Sequence, residues 1–191
     1  DNTITGHTLK ENTKAQNYEI SYVKGTLTVT QASLAITVKA DDDSKPYDGT
    51  PLTKGTATLT AGTLAEGDYL VNTVTGTITN AGTEVNTLSD VKVMHGEGEA
   101  AVDVTANYQI TKQNGELKIT PVKIVLTADS ANKVYDGKAL TKDSYKITTG
   151  AFVGEEGLAS VTVEGSQTLV GSSDNTITGH TLKENTKAQN Y

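Results

Sequence analysis

The chain has 191 residues, no cysteine and a net charge of −7. Without cysteine it can form neither a disulfide framework nor a zinc–thiolate site. All 16 basic residues are lysine, and this acidic, arginine-free composition argues against nucleic-acid binding, which needs clustered positive charge and guanidinium groups. No apolar run is long enough to cross a membrane, and no signal peptide is evident, although a stretch from the middle of a longer chain would not contain one.

The predicted elements are strands joined by turns. Threonine is the commonest residue, and Thr, Val and Ile favour extended backbone. Apolar and polar residues alternate along the chain, and no segment has the spacing of an amphipathic helix. In chain order the predicted strands are 34–40, 56–60, 70–79, 85–93, 108–120 and 122–128. The predicted turns between them are 41–44, 47–49, 64–68 and 103–107.

The alternation also predicts which side chains face inward. It places Leu34, Ile36 and Val38 on the inner face of the first strand, and Val122, Ile124 and Leu126 on that of the last. The segment 108–120 is expected to form a closing strand or hairpin bent at Asn114-Gly115. We therefore expect a mostly β fold, with small β-sandwich (Ig-like) or β-grasp-like modules arranged end to end.

Internal repetition is the strongest pattern in the chain. Residues 1–18 recur letter for letter as residues 174–191. A single domain has no reason to begin and end with the same string, whereas a stretch of tandem array slightly longer than one period would do so. Shorter patterns recur within the period: Lys45–Thr53 as Lys133–Thr141, Gly76 and Gly82 as Gly165 and Gly171, and Asn17-Tyr18 as Asn107-Tyr108 and Asn190-Tyr191.

The repeats divide the chain into parts of two related but unequal modules, A and B. Residues 1–30 are predicted to be the C-terminal part of a B module, residues 31–120 (segment A) a complete A module, and residues 121–191 (segment B) the N-terminal part of the next B module. Segment A carries an insertion near His95–Ala100, and Pro121 leaves almost no linker between the segments. We expect residues 19–30 to pair with a B module outside this chain. Residues 174–191 of one chain and residues 1–18 of the next would compete for the same place in a B module. This argues against a natural exchange of strands between subunits.

The recurring motifs resemble a known family. Three patterns resemble the YDG/MBG-type repeats of bacterial surface adhesins: K-x-Y-D-G-x-x-L-T, the pattern G-x-x-x-x-x-G within each segment, and the closing pattern N-Y-x-I-x-x-x-x-G-x-L-x-I-T. The resemblance spans essentially the whole chain. It implies a secreted, surface-anchored protein built of many β modules, often as a stalk, and it implies no enzyme activity. Segment A departs from the pattern at Pro46 and in its insertion.

The motif residues have a structural and a functional interpretation. The tyrosines could form a sugar-binding patch, but we favour Tyr47 and Tyr135 packed beneath the turns, with Asp48 and Asp136 bonded to backbone amides. The same structural interpretation applies to the Asn-Tyr pairs, as a turn followed by an inward tyrosine. The candidate structural residues are Asn17, Tyr18, Tyr47, Asp48, Gly49, Asn107, Tyr108, Tyr135, Asp136 and Gly137.

Metal binding has one weak candidate. Asp41, Asp42 and Asp43 could supply oxygen ligands for Ca²⁺. Segment B has Asp129-Ser130-Ala131 at this place and the EF-hand spacing is absent, so a solvated turn is favoured. The histidines (His7, His95 and His180) have no second His or Cys close in sequence. We predict neither a metal site nor a cofactor.

Catalysis is not indicated either. The carboxylate pairs Glu155-Glu156 and Glu97/Glu99 lie in Gly-flanked loops, where adjacent residues cannot face each other across a cleft as glycosidase chemistry requires. A Lys–Asn isopeptide bond between Lys39 and Asn107 would stiffen a cysteine-free module, although segment B has Thr127 in place of the lysine. We predict no catalytic residue and no enzyme.

Two functions follow from these patterns. Near-perfect repetition without reactive side chains favours a structural shaft or spacer repeat of an extracellular bacterial surface fibre, whose partners are neighbouring copies of the same repeat. The alternative is an adhesin repeat that binds host glycan or protein weakly and gains avidity from multiplicity. The insertion in segment A and the exposed tyrosines would then be the place to look.

Overall fold

The computed structural model describes all 191 residues, and the chain is mostly β, as the alternation predicted. The only helices are 3₁₀ turns of three residues each, at Ala15–Asn17, Gly98–Ala100, Thr105–Asn107 and Ala188–Asn190. The strands of segment A are β1 (Leu34–Ala40), β2 (Asp43–Pro46), β3 (Ala57–Ala61), β4 (Asp68–Thr75), β5 (Gly82–His95), β6 (Val102–Asp103), β7 (Tyr108–Gln113) and β8 (Gly115–Thr120). Those of segment B are β9 (Val125–Ala128), β10 (Tyr145–Thr149), β11 (Leu158–Glu164) and β12 (Thr176–Leu182).

Segment A contains two sheets that share no strand. One has the order β3-β1-β7, with β7 parallel to β1. The other has the order β2-β8-β5-β4, with β2 parallel to β8 and β6 added beside the end of β5. The long strand β5 pairs with β8 near its start and with β4 along the rest of its length. It therefore runs from one end of the segment to the other.

The buried apolar side chains of the protein all belong to segment A. A larger cluster fills the space between β1, β5 and β7, and its members include Ile36, Val38 and Val93. A smaller cluster contains Tyr47, Leu52, Leu117 and Ile119. Ile36 and Val38 thus face inward as the alternation predicted, whereas Leu34 is 39% exposed at the start of its strand.

Segment B pairs its strands in the same pattern but closes neither sheet. β9 pairs with β10, and β11 pairs with β12, both antiparallel. In this chain no strand of segment B corresponds to β7 or β8. Ile124 and Leu126 are consequently half-buried, although they align with the fully enclosed Ile36 and Val38. The predicted strand 122–128 begins only at Val125.

The closing segment 108–120 is broken at Asn114, as expected, but of the two forms expected for it, a strand or a hairpin, the hairpin is not observed. β7 and β8 do not pair with each other but join different sheets. Asn114 Oδ1 accepts a hydrogen bond from Leu88 N at 3.1 Å. A Cβ on Gly115 would lie 2.5 Å from Ala40 O, so only glycine fits where the chain crosses between the sheets. The predicted turn 41–44 was also partly wrong, because Asp43–Pro46 pairs with β8.

Residues 1–33 contain no extended strand. Their only β contact is the isolated bridge between Asn2 and Gly25. Large apolar side chains in this stretch are exposed, among them Ile20, Leu27 and Val29. Residues 19–30 do not pair with residues 122–170, and their pairing with a B module elsewhere stays a prediction.

Candidate functional site at the contact between the two segments

The Tyr-Asp-Gly turn of segment A is fixed by one carboxylate. Asp48 Oδ1 accepts hydrogen bonds from Lys45 Nζ at 2.7 Å and from Thr50 N at 2.9 Å. The hydrogen bond from Lys45, followed by those from Thr50, lowers the pKa of Asp48 to about 2. Gly49 has φ +79°, a left-handed conformation that side chains rarely adopt. The turn presents Tyr47 toward the smaller apolar cluster.

The corresponding turn of segment B has the same local geometry. Asp136 Oδ1 accepts hydrogen bonds from Lys133 Nζ at 2.7 Å and from Lys138 N at 3.0 Å, and these bonds lower its pKa in the same order. Gly137 has φ +73°. Tyr135, however, is 60% exposed, so the expectation that both tyrosines pack beneath their turns is wrong for Tyr135. In segment B neither a strand equivalent to β8 nor a following segment packs against it, whereas both cover Tyr47.

Tyr47 is 6% exposed because both segments cover it. Within segment A it packs with Leu117 and Ile119 of β8. Its ring also meets that of Tyr191 edge-on, with the ring centroids 5.7 Å apart. The YDG turn of segment A is therefore part of its contact with segment B.

Glu156 joins the two tyrosines at this contact. Tyr47 Oη donates to Glu156 Oε1 at 2.8 Å, and Tyr191 Oη donates to the other carboxylate oxygen. Burial, followed by the hydrogen bond to the carboxylate, raises the pKa of both tyrosines, that of Tyr191 to about 12. The protonated tyrosines and the ionised carboxylate form a charge-assisted link between the segments.

The Asn-Tyr pair of segment B forms the rest of the contact. Asn190 is fully buried, and its Oδ1 accepts a hydrogen bond from Ala81 N of segment A at 2.8 Å. Its backbone carbonyl accepts another from Val122 N at 2.9 Å. Gln189 Nε2 donates to Ala81 O at 3.2 Å. The two bonds to Ala81 attach the loop before β5 directly to segment B, and the bond from Val122 holds Asn190 within segment B.

The opposite end of segment A repeats this chemistry. Tyr108 is buried, and its Oη accepts a hydrogen bond from Ala65 N at 2.9 Å and donates to Asp68 Oδ2 at 2.5 Å. Tyr191 bonds to Val153 N and Glu156 in the same way. Asp68 is thus the counterpart of Glu156, but its second oxygen lies 2.6 Å from His95 Nδ1 and meets no second tyrosine.

The tyrosines of the pairs at 107–108 and 190–191 thus form equivalent hydrogen bonds, and the tyrosine of the pair at 17–18 does not. Asn107 precedes the buried Tyr108 at one end of segment A, and Asn190-Tyr191 lies at the other end. Tyr18 is 62% exposed and Asn17 lies in an exposed 3₁₀ turn, so an inward tyrosine at this position is not observed. Residues 1–18 lack the neighbouring strands that surround the identical residues 174–191.

Each segment contains one asparagine whose side chain joins two loops by hydrogen bonds. The sequence patterns did not identify these two residues. Asn86 is fully buried, and its Nδ2 donates to Asp41 O at 2.9 Å and Lys54 O at 2.8 Å. Asn175 makes the matching bonds to the carbonyls of Asp129 and Lys142, both at 2.8 Å. The available signal was a polar residue four positions after Gly82 and again after Gly171.

The acidic run 41–43 does not converge on one point. Asp41 accepts hydrogen bonds from Thr56 and Thr58, Asp42 from Lys39 and the backbone of Glu116, and Asp43 from the backbone of Ser44. No group of three or more His, Cys, Asp or Glu side chains is placed to hold a metal ion.

The isopeptide hypothesis is contradicted. Lys39 pairs with Gln113 near the end of the β1–β7 ladder, whereas Asn107 precedes Tyr108, which pairs with Leu34 at its start. The two side chains therefore lie at opposite ends of the ladder. Lys39 Nζ instead bonds to Asp42 Oδ2 at 2.5 Å.

Segment B contains a large open groove. Its volume is about 1040 Å³, and it is lined by residues from the start of the segment, from the Tyr135 turn and from residues 165–177. A smaller apolar cavity of about 220 Å³ lies between Ile124, Leu158, Leu182 and Tyr191. Both openings lie where strands β7 and β8 cover the equivalent parts of segment A.

Comparison with known proteins gives no relative. No protein-family model, curated protein sequence or solved structure matches the chain. None of its helices is long or apolar enough to span a membrane.

Proposed function

We propose that this chain is a structural spacer in the shaft of an extracellular bacterial surface fibre or adhesin stalk. The observation that carries the proposal is the direct contact through Tyr47, Glu156 and Tyr191. Only Pro121 separates the end of β8 from Val122, which is itself hydrogen-bonded to Asn190. A buried contact with so short a connection restricts bending between segments, as a shaft requires.

Repetition supports the same role. Residues 1–18 and 174–191 are identical, and a sequence copied without change is better suited to adding length than to new chemistry. The resemblance to YDG/MBG-type repeats supports a location at the cell surface and neighbouring copies of the repeat as partners. In this role the β modules of the chain lie end to end in tandem, and they have no catalytic function.

Small-angle scattering of repeat proteins tests the proposal. Residues 19–191 form one period, so proteins of one, two and three periods can be compared. We expect the maximum dimension to grow linearly, by roughly 90 Å for each period, which is about twice the length of the 14-residue strand β5. A matched protein with a Gly-Ser linker inserted after Thr120 should be more flexible. Compact particles whose dimension barely grows with repeat number would refute the spacer role.

Ligand binding is a second candidate function. The loop after His95 is exposed and has no counterpart in segment B, and such loops often carry recognition. A glycan array probed with one period and with three periods tests this role, because avidity should make the longer protein bind more strongly. Absence of signal from both would leave the spacer role alone.

A further inference from the structure

Asn114-Gly115, the dipeptide between β7 and β8, has the sequence in which an asparagine side chain most easily reacts with its own backbone. Asn114 is the only asparagine of the chain that is followed by glycine. The missing Cβ of glycine leaves its backbone nitrogen accessible to the side-chain carbonyl carbon of the preceding asparagine. At the corresponding position of the B module Lys24 precedes Gly25, so the reactive pair belongs to module A alone.

The folded segment restrains the backbone around this dipeptide. Gly115 is buried at the start of β8, between β2 and β5. An added Cβ on it would lie 2.5 Å from Ala40 O and 2.7 Å from Asp41 O, so these carbonyl groups leave the peptide no room to turn. The next peptide is held as well, because Glu116 N donates to Asp42 Oδ1 at 2.8 Å.

The side chain of Asn114 is also restrained. Its Oδ1 accepts a hydrogen bond from Leu88 N at 3.1 Å, although the residue is exposed to water. Ring closure needs the asparagine to bring its Cγ over the nitrogen of Gly115, with the reacting atoms about 3–3.5 Å apart. That movement turns the peptide between the two residues, which the neighbouring strands hold. The folded segment therefore keeps the dipeptide from reacting.

We propose that Asn114 is a modification site that reacts when β8 leaves its place between β2 and β5. Gly115 N then attacks Asn114 Cγ, the bond from Cγ to Nδ2 breaks, and ammonia leaves with the proton of the attacking nitrogen. Water opens the resulting cyclic imide at either carbonyl group, which yields aspartate or isoaspartate at position 114. The reaction consumes only water.

The isoaspartate product makes the opening of β8 irreversible. Its main chain runs through the former side chain and is one carbon longer between β7 and β8. Because β7 is in register with β1, and β8 with β2 and β5, the tight crossover at Gly115 has no space for an added carbon. Leu117 and Ile119 of β8 then lose their places in the smaller apolar cluster. The inference does not depend on the spacer role.

Intact mass spectrometry of the full chain, kept folded or kept in concentrated urea at mildly alkaline pH, tests this inference. Exchange of the Asn114 amide for an acid changes the mass, and the tryptic peptide 113–118 locates the change. We expect the folded chain to react at least about 10³-fold more slowly than the unfolded chain, since only its open fraction reacts. Equal rates in the two conditions, or an unchanged mass in urea, would overturn the inference.

Two substitutions in β8 test whether opening of this strand controls the rate. Leu117→Ala, which leaves a cavity in the apolar cluster, should speed the reaction of the folded chain by about 30-fold or more. Lys118→Ala, on the exposed face of the same strand, should keep the rate within about threefold of the parent. An unchanged rate in Leu117→Ala, or equal acceleration by the two variants, would refute control by β8.

Refolding of the reacted chain tests the irreversible step. Chain that has reacted in urea is returned to dilute buffer, and hydrogen exchange of its β8 amides is compared with that of Asn114→Asp. The aspartate variant should refold with protected β8 amides, because its Oδ1 can still accept the hydrogen bond from Leu88 N. The isoaspartate form should leave these amides unprotected. Equal protection in the two forms would refute the irreversible step.

Discussion

Segment A buries Leu117 and Ile119 completely, whereas segment B has no fully buried apolar side chain. The two segments otherwise share their turns, their strand pairing and the asparagine that joins two loops. The difference follows from β7 and β8, which pair with β1, β2 and β5 in segment A and have no counterpart in segment B. Local contacts therefore suffice to shape each turn and ladder, and two further strands are needed to enclose a core.

The two YDG turns show the same difference between local and long-range contacts. Asp48 and Asp136 bond to their neighbours almost identically, because their partners lie within a few residues. Tyr47 and Tyr135 differ because their surroundings come from distant parts of the chain: Tyr47 meets Glu156, which is 109 positions away. Tyr135 has no such partner.

The largest difference is expected between alanine substitutions at two equivalent leucines of the repeat, Leu117 and Leu27. Leu117→Ala should lower the free energy of unfolding by about 2–5 kcal/mol, because it leaves a cavity in an enclosed cluster. Leu27→Ala, the matched change in the exposed stretch, should alter it by less than about 0.5 kcal/mol. Urea unfolding of dilute protein measures both values. Equal losses would contradict the difference in burial between the two strands.

The tyrosines of the two YDG turns should also differ. Tyr47→Phe removes a part-buried hydrogen bond to a carboxylate and should cost about 1–3 kcal/mol. Tyr135→Phe should change stability by less than about 0.5 kcal/mol, since the ring is exposed. A double-mutant cycle of Tyr47→Phe with Glu156→Gln would show whether the two residues are coupled. Additive effects would argue against the link between segments.

Alkaline pH should weaken the contact between the segments. The pKa of Tyr191 is raised to about 12 and that of Tyr47 is also raised, both from an ordinary value near 10. Since the folded pKa lies above the unfolded one, this stabilisation is fully present below pH 10 and is lost as the pH rises toward 12. Thermal unfolding across this range should show a decline that Tyr191→Phe makes shallower. Tyr69→Phe, at a strand tyrosine without a side-chain hydrogen bond, should leave the decline unchanged; an equal response of the two variants would refute this assignment.

The smallest difference between the segments is expected at the turn aspartates, because the two turns have the same hydrogen bonds. The pKa of Asp48 is lowered to about 2, and that of Asp136 is also lowered, both from 3.8. The stabilisation is therefore present above about pH 3.8 and is lost as the pH falls toward 2. Asp48→Asn and Asp136→Asn should each make acid unfolding less steep. Unequal responses would show that the two turns are not equivalent.

The sequence predicted the mostly β class and the inner face of β1, because alternation is a property of the strand itself. Ile36 and Val38 are buried as expected. A hairpin was one of the two forms expected for residues 108–120, because Asn-Gly usually marks a tight turn between paired strands, and this alternative was wrong. Here Gly115 is required by the carbonyl groups of Ala40 and Asp41, a long-range contact that no local pattern reveals.

The candidate site was predicted only in part. The Tyr-Asp-Gly and Asn-Tyr motifs stand out because they repeat, and Tyr47, Tyr108 and Tyr191 do take part in the contacts at the ends of the segments. Glu156 was considered only for catalysis, since its partners come from two distant motifs. Asp68 and Glu156 are equivalent in space but differ in side chain, so repetition alone did not identify them.

Hydrogen exchange on a lengthened chain tests most directly whether segment B is an unclosed copy of segment A. In dilute solution the amides of β12 should exchange faster than those of β5, its counterpart. Adding a second copy of residues 19–30 directly after Tyr191 should slow the exchange of β9 and β12 to the level of β1 and β5. Exchange of β12 that stays as fast as in the chain without the addition would contradict the account.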